Sequence, residues 1–245
     1  GLANRSDQVG RNLMDHLGGS RVQARVQGHL DTYYFGRRPI GGYIPRYRNF
    51  PVRDQNYKRG WGYQLYSGRG GATGRRPGVG DDFKLSNQTP GDWTIMLDAF
   101  GEVLPRAENR VTLHPTKTDK WGHPIAQVNF QLSDNDKALM RGAHADAIDM
   151  LTAAGFDQIY ENQSPDKDMK GVIGRIHEMG TARMGRDPAT SVLNTWNQAH
   201  DIDNLFITDG SFMRSSAVQN PSLTYMAFTA RAAHHAADLL EAGAL

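Results

Sequence analysis

Apolar and polar positions near the C-terminal end of the chain follow two rhythms. Residues 203–208 carry a short apolar run, Leu205-Phe206-Ile207, ending in Asp209-Gly210, and this predicts a buried strand that stops in a turn. Small and polar residues follow as far as Gln219. Asn220-Pro221 then predicts a helix start, with Asn220 as N-cap and Pro221 at the first helical position, where its missing N–H is not needed. Beyond it Leu223, Met226, Ala227, Ala230, Ala233, Ala237 and Leu240 recur at helical spacing, so this last helix is expected to bury that face. Its free N–H groups and positive dipole end point at whatever lies beside Asn220, a setting that stabilises an anionic or electron-rich cofactor.

Upstream the pattern is mixed. Val22, Ala24 and Val26 alternate as in a strand, and Trp93 to Phe100, Arg110 to Leu113 and Ile125 to Leu132 also predict strands. Ser133 can cap a helix with Asp136 closing a capping box. That helix carries Leu139, Ala143, Ala147 and Leu151 on one face and stops at Gly155, a natural C′ residue. Residues 31–90 are polar, Gly-rich and irregular. The pattern divides the chain into residues 1–30, 31–170 and 171–245.

Composition narrows the picture little. The 245 residues suffice for one large domain or two modest ones, and 28 Lys+Arg against 26 Asp+Glu give a formal charge of +2 that demands no acidic partner. No apolar run is long enough to span a bilayer. Zero cysteines exclude disulfides and thiolate metal sites. A metal site is not expected elsewhere either. His177-Glu178-Met179-Gly180-Thr181 begins like H-E-x-x-H but has Thr181 where the second ligand must stand, and the adjacent His234 and His235 diverge around a helix.

Several motifs now resemble one family in the order expected of it. His177-Glu178-Met179-Gly180-Thr181-Ala182-Arg183-Met184-Gly185, the Asp209-Gly210 turn and the Asn220-Pro221-Ser222-Leu223-Thr224 helix start are similar to the C-terminal motifs of the glucose–methanol–choline (GMC) oxidoreductases. Val9-Gly10-Arg11-Asn12-Leu13-Met14-Asp15-His16 resembles the V-G-x-N-L-x-D-H segment of that family. Asn109-Arg110-Val111-Thr112-Leu113 and Asp119-Lys120-Trp121-Gly122-His123-Pro124-Ile125 match more loosely. The resemblance implies an α+β fold: a substrate-binding domain of antiparallel sheet plus helices, joined to the C-terminal strand–turn–helix of an FAD-binding domain. It further implies oxidation of an alcohol or sugar with FAD, His177 as base and Asn220 as its partner on the substrate oxygen. Asp209, Gly210, Pro221 and Thr224, with Asn220, are the implied flavin contacts. An imidazole suits the base role because its pKa lies near neutrality. Arg183 and Asp187 are expected as an ion pair shaping the loop after His177.

One family element is not found. No strand, G-x-G-x-x-G turn and helix occurs: the Gly-rich stretch beginning at Gly68 puts Thr73 where the third glycine should fall. The expectation is therefore a C-terminal half, closest to bacterial sugar and sugar-acid dehydrogenases, whose partners are a sugar or alcohol substrate, the N-terminal FAD-binding half, and a cytochrome or quinone as electron acceptor. The alternatives are an inert fragment, or a binding module for nucleic acid or a protein partner. Tyr33, Tyr34, Phe35, Arg37, Arg38, Tyr43, Arg46, Tyr47, Arg48, Phe50, Arg53, Tyr57, Lys58, Arg59, Trp61 and Tyr63 interleave aromatics with cations as a single-stranded nucleic-acid platform does. Beside the C-terminal motifs the oxidoreductase reading takes precedence, without nucleic acid as a partner.

Overall fold

The computed structural model describes residues 2–31, 41–49, 56–69, 77–88, 90–168 and 175–245. Part of the Gly-rich stretch, residues 70–76, and the aromatic-basic positions Tyr33, Tyr34, Phe35, Arg37, Arg38, Phe50 and Arg53 lie outside the described residues. The elements run β1 (His16–Leu17), β2 (Arg21–Val26), β3 (Gly42–Ile44), β4 (Trp61–Arg69), α1 (Gly80–Gln88), β5 (Trp93–Glu102), β6 (Arg110–Thr118), β7 (Pro124–Asn129), α2 (Asp134–Ala153), β8 (Ile159–Gln163), α3 (Pro165–Asp168), a 3₁₀ turn (Gly210–Phe212) and α4 (Ser222–Glu241). This is an α+β fold of antiparallel strands and helices. The chain forms two compact units: the first from Gly1–Leu17, Gly101–Asp136 and Gly171–Leu245, the second from Gly18–Phe100 and Lys137–Lys170.

The second unit is a sheet of order β3-β4-β5-β2-β8 with the body of α2 against it. The alternation in β2 fixes its register on β5: Val22 pairs with Leu97 and Ala24 with Ile95, and Val22 and Ala24 are fully buried. On α2, Leu139, Ala143, Ala147 and Leu151 are buried as their spacing predicts. Tyr63 donates its hydroxyl to the Ala143 carbonyl at 2.6 Å, and buried Ser20 and His144 hydrogen-bond at 2.9 Å. Helix α2 ends as expected, because Gly155 at φ +87° closes a Schellman motif: Phe156 N–H donates to Leu151 O and Gly155 N–H to Thr152 O.

The described part of residues 31–90 is more regular than its composition predicts, since it supplies β3, β4 and α1. Trp61 and Tyr63 in β4 are buried to 1% exposure, and Tyr57 packs on Trp61. Tyr47 donates to Asp146, and Arg48 grips the same carboxylate with two hydrogen bonds at 2.8 and 2.9 Å. Burial opposes the Asp146 charge, yet these bonds hold its pKa below the usual carboxylate value. Of the described aromatics of this stretch, Tyr57, Trp61 and Tyr63 thus serve the core, while Tyr43 and Tyr47 are exposed and Tyr47 supports the Arg48–Asp146 ion pair.

In the first unit, β1 pairs with the end of β5, setting His16 opposite Glu102 and Leu17 opposite Gly101. The hairpin β6–β7 extends to Thr118, beyond the predicted limit at Leu113. Ser133 and Asp136 form the capping box: Asp136 N–H donates to Ser133 Oγ at 3.2 Å and Ser133 N–H to Asp136 Oδ2 at 2.7 Å. Ala182, Val192, Leu193, Ala199 and Phe212 make the local core.

Two expectations for the C-terminal region are corrected. The run 203–208 forms a single β-bridge, Phe206 to Gln198, in place of a strand, because the surrounding 185–208 segment pairs with itself through isolated bridges and offers no strand edge. Helix α4 buries the other stripe: Phe228 stacks on Phe212 with centroids 4.6 Å apart, Ala232 is buried and His235 stacks on Trp196. Leu223, Met226 and Leu240 are 78%, 68% and 67% exposed. Helical spacing marked an apolar stripe correctly, but two such stripes exist, and the aromatic partners select the inner one.

Candidate active site

Three segments distant in sequence build the site within the first unit. The Val9–His16 segment runs antiparallel to residues 177–181: Met14 and Met179 exchange both backbone hydrogen bonds at 2.8 Å, and Thr181 O accepts from Gly10 N–H at 2.7 Å. Leu13 N–H donates to Asn109 O and Val111 N–H to Gly10 O, so the Asn109-to-Leu113 motif joins the same assembly. Gly180 lies at φ +89°, and a Cβ there would sit 1.9 Å from Asn12 O, so only glycine allows this approach. The same bend excludes a helix over 177–181.

The buried carboxylate of Asp15 then organises the approach to His177. Its Oδ1 accepts from His16 N–H at 2.6 Å and His177 N–H at 3.1 Å, while Oδ2 accepts from Arg175 N–H at 2.9 Å. Ile176, between two of these donors, is held at φ +53°. The half-buried His177 ring meets His16 edge-on, with Nδ1 to Nδ1 at 2.8 Å and planes at 84°. Its Nε2 faces Asn220 Nδ2 at 3.2 Å.

Asn220 reaches this position because it is not the helix N-cap. Pro221 occupies the cap in αR conformation, without a side-chain hydrogen bond, and α4 begins at Ser222. The predicted cap is therefore corrected by one residue, and the Asn220 amide is turned to His177. Two clamps hold the loop before it: Glu102 Oε1 accepts from Ser216 N–H at 3.1 Å, and His16 Nε2 meets Ala217 O at 2.6 Å. His16 is buried, which lowers its pKa; the Ala217 carbonyl opposes this and the His177 charge reinforces it.

Asp209 caps the 3₁₀ turn, its Oδ1 accepting from Ser211 N–H at 2.9 Å and from the Ser211 hydroxyl. Gly210 follows, where a Cβ would lie 2.5 Å from Glu178 O and 2.6 Å from the Tyr225 hydroxyl. Among the described residues that buried hydroxyl has no hydrogen-bond partner. Thr224 is the third residue of α4. An uncapped N-terminus on a 20-residue helix and an orphaned hydroxyl beside Asp209-Gly210 both suit a polar, acceptor-rich cofactor. The predicted Arg183–Asp187 pair is not formed: Arg183 Nε donates to Thr190 O, while Asp187 Oδ1 accepts from Ala189 N–H. His16 lay inside a quoted motif without a role of its own. Sequence alone does not pair it with His177, because the pairing depends on long-range contacts, the Met14–Met179 bridge and the Asp15 bonds among them.

The chain belongs to the GMC oxidoreductase family, which matches residues 105–229, more than half its length. Members are FAD-dependent oxidoreductases acting on CH–OH donors. The chain is 33% identical to 2-methyl-1,2-propanediol dehydrogenase of Mycolicibacterium austroafricanum over 95% of this chain and 42% of that one. It is 28% identical to the fructose dehydrogenase large subunit of Gluconobacter japonicus, with the same shares covered. The chain thus spans less than half the length of these curated relatives. A solved structure of Aspergillus oryzae RIB40 formate oxidase shares the fold with a TM-score of 0.55 at 20% identity, over 92% of this chain and 46% of that one.

Proposed function

We propose that this chain carries the base and its polar partner for FAD-dependent oxidation of an alcohol group of a sugar or related polyol. The observation that carries the reading is His177 Nε2 placed 3.2 Å from Asn220 Nδ2 just before the uncapped start of α4. FAD, when bound, supplies the hydride acceptor at N5. His177 Nε2 takes the hydroxyl proton, and the Asn220 amide donates to the same substrate oxygen and keeps it in line. Asp209, Gly210, Pro221 and Thr224, with Asn220, would hold the flavin side, where the helix N-terminus stabilises developing negative charge. Residues 31–170 take the substrate-domain role. The propanediol and fructose dehydrogenase relatives favour a polyhydroxylated substrate, and this reading takes a cytochrome or quinone as the electron acceptor.

The test is anaerobic flavin reduction by sugars and diols in the full-length, FAD-loaded protein. His177→Ala should retain FAD yet slow reduction on the order of 10²-fold, the range for losing a general base. Unchanged reduction would remove His177 from the reaction.

A further inference from the structure

We infer that His16 is a positioning residue that fixes the proton of His177 on Nδ1 and thereby leaves Nε2 bare as the base. The inference rests on the reading of His177 as base, but its first link is independent of the reaction. The Ala217 carbonyl can only accept, so His16 Nε2, 2.6 Å away, must be the N–H that donates to it. A neutral His16 therefore has a bare Nδ1. That nitrogen lies 2.8 Å from His177 Nδ1, and two bare nitrogens would repel at this distance. The proton between them must belong to His177 Nδ1. A neutral His177 then has its lone pair on Nε2, the atom facing the Asn220 amide, which is itself a donor.

The surrounding fold holds this order of protons. The ring of His16 sits in a strand paired to Glu102, at 2% exposure, and the Ala217 carbonyl is anchored one residue from the Ser216–Glu102 bond. Asp15 binds the backbone N–H of both histidines and so holds the main chain that carries the two rings, while the rings themselves are held by the Ala217 carbonyl and by each other. Protonated His16 would place donors on both its nitrogens, turn His177 Nδ1 into an acceptor and move the His177 proton to Nε2, where it blocks the base. Burial disfavours that state; among the described residues, the charged groups acting on the His16 ring besides His177 are Asp15, which favours its protonation, and Arg175, which opposes it. The arrangement has the logic of a triad in which an orienting group sets the tautomer of the base, with a neutral imidazole as the orienter.

The test uses full-length, FAD-loaded protein with ¹⁵N-labelled histidine, reading imidazole tautomers from two-bond ¹H–¹⁵N correlations and assigning His177 by its loss in His177→Ala. Native protein at mildly alkaline pH should show His177 protonated at Nδ1 and bare at Nε2. His16→Leu should give the Nε2–H tautomer and slow flavin reduction on the order of 10- to 100-fold, mainly in kcat with little change in KM. His16→Asn, which keeps an acceptor oxygen near the lost Nδ1, should retain the Nδ1–H tautomer and recover most of the rate. An Nε2–H tautomer in native protein, or a His16→Leu variant with native tautomer and rate, overturns the proposal. Should His16→Leu fail to fold, the native spectrum and the Asn variant decide. Failure of the base assignment is seen separately, as normal flavin reduction in His177→Ala beside an Nδ1–H spectrum.

Discussion

Gly180 and Asn12 approach so closely that a single added carbon on Gly180 would stand 1.9 Å from the Asn12 carbonyl oxygen. The contact lies next to the Met14–Met179 bridge, which carries His16 to His177, so backbone packing and site assembly are one feature here.

Gly180→Ala should therefore be costly beyond its backbone strain. Gly155 offers the control, with φ +87° and open space around its Cβ position. Gly155→Ala should cost the left-handed penalty alone, about 1–2 kcal/mol. Gly180→Ala adds an overlap with backbone that cannot swing aside, so its loss should exceed the control by roughly 2 kcal/mol or more, as core overpacking does. Urea unfolding of both variants checks this, and equal losses would show that the close approach relaxes freely.

The contrast between these glycines also marks what sequence could reveal. Gly155 was legible as a helix terminator because its role is local: the Schellman bonds span residues 151–156. The Ser133–Asp136 capping box was legible for the same reason. His177 and Asn220 stand out through their motifs as a candidate pair, and the structure sets their side chains 3.2 Å apart. Gly180 and His16 act on residues far away in the chain, and periodicity carries no information about such pairings. Helix α4 fails differently, because its pattern contains two apolar stripes and the choice depends on Phe212 and Trp196, which lie outside the helix.

Asp15→Asn should disturb the site more than its small change in shape suggests. Asp15 accepts three backbone N–H groups through both oxygens, whereas Asn presents one acceptor and a donor amide that meets other donors. A loss of about 2–4 kcal/mol is expected, given roughly 1.5–3 kcal/mol for a hydrogen bond to a charged group. Flavin reduction should slow together with stability, as the 175–177 turn loosens. Native denaturation and reduction rates in the variant would show that Asp15 anchors nothing.

Acid should weaken the fold through His16. Burial sets its folded pKa below the unfolded value of 6.5, so the unfolded chain binds the extra proton. The stability from neutral His16 is complete above that value and is lost as pH falls from it toward the folded pKa. The His177 and Arg175 charges act in the same direction as burial, while the Ala217 carbonyl and Asp15 oppose it. Urea midpoints should fall as the pH drops below the unfolded value of 6.5, and His16→Asn should show a flatter dependence. A variant with the native slope would place the titration elsewhere.

Asn220→Ala should separate turnover from stability. Pro221, not Asn220, caps α4, so the usual loss of about 1 kcal/mol for a cap is not expected, and the melting temperature should change little. Flavin reduction should fall on the order of 10²-fold if the amide steadies the substrate oxygen, the range seen for one oxyanion donor. A variant that melts early and turns over normally would make Asn220 a structural residue.

The outer stripe of α4 leads to a prediction for residues 1–245 as an isolated chain. Leu223, Met226 and Leu240 lie two-thirds or more exposed along one side of a 20-residue helix, with Ala227, Ala230, Ala233 and Ala237 between them, which makes a continuous apolar surface. Such surfaces associate in water because burying them removes apolar area at about 25 cal/mol per Å². The chain should therefore self-associate on gel filtration and, without a dinucleotide turn to hold pyrophosphate, elute free of flavin. Replacing Leu223, Met226 and Leu240 with Glu should restore a monomer without altering the helix content seen by circular dichroism. A native chain that runs as a yellow, monodisperse monomer would show that this stripe tolerates water and that the cofactor is held by residues other than those of a dinucleotide turn.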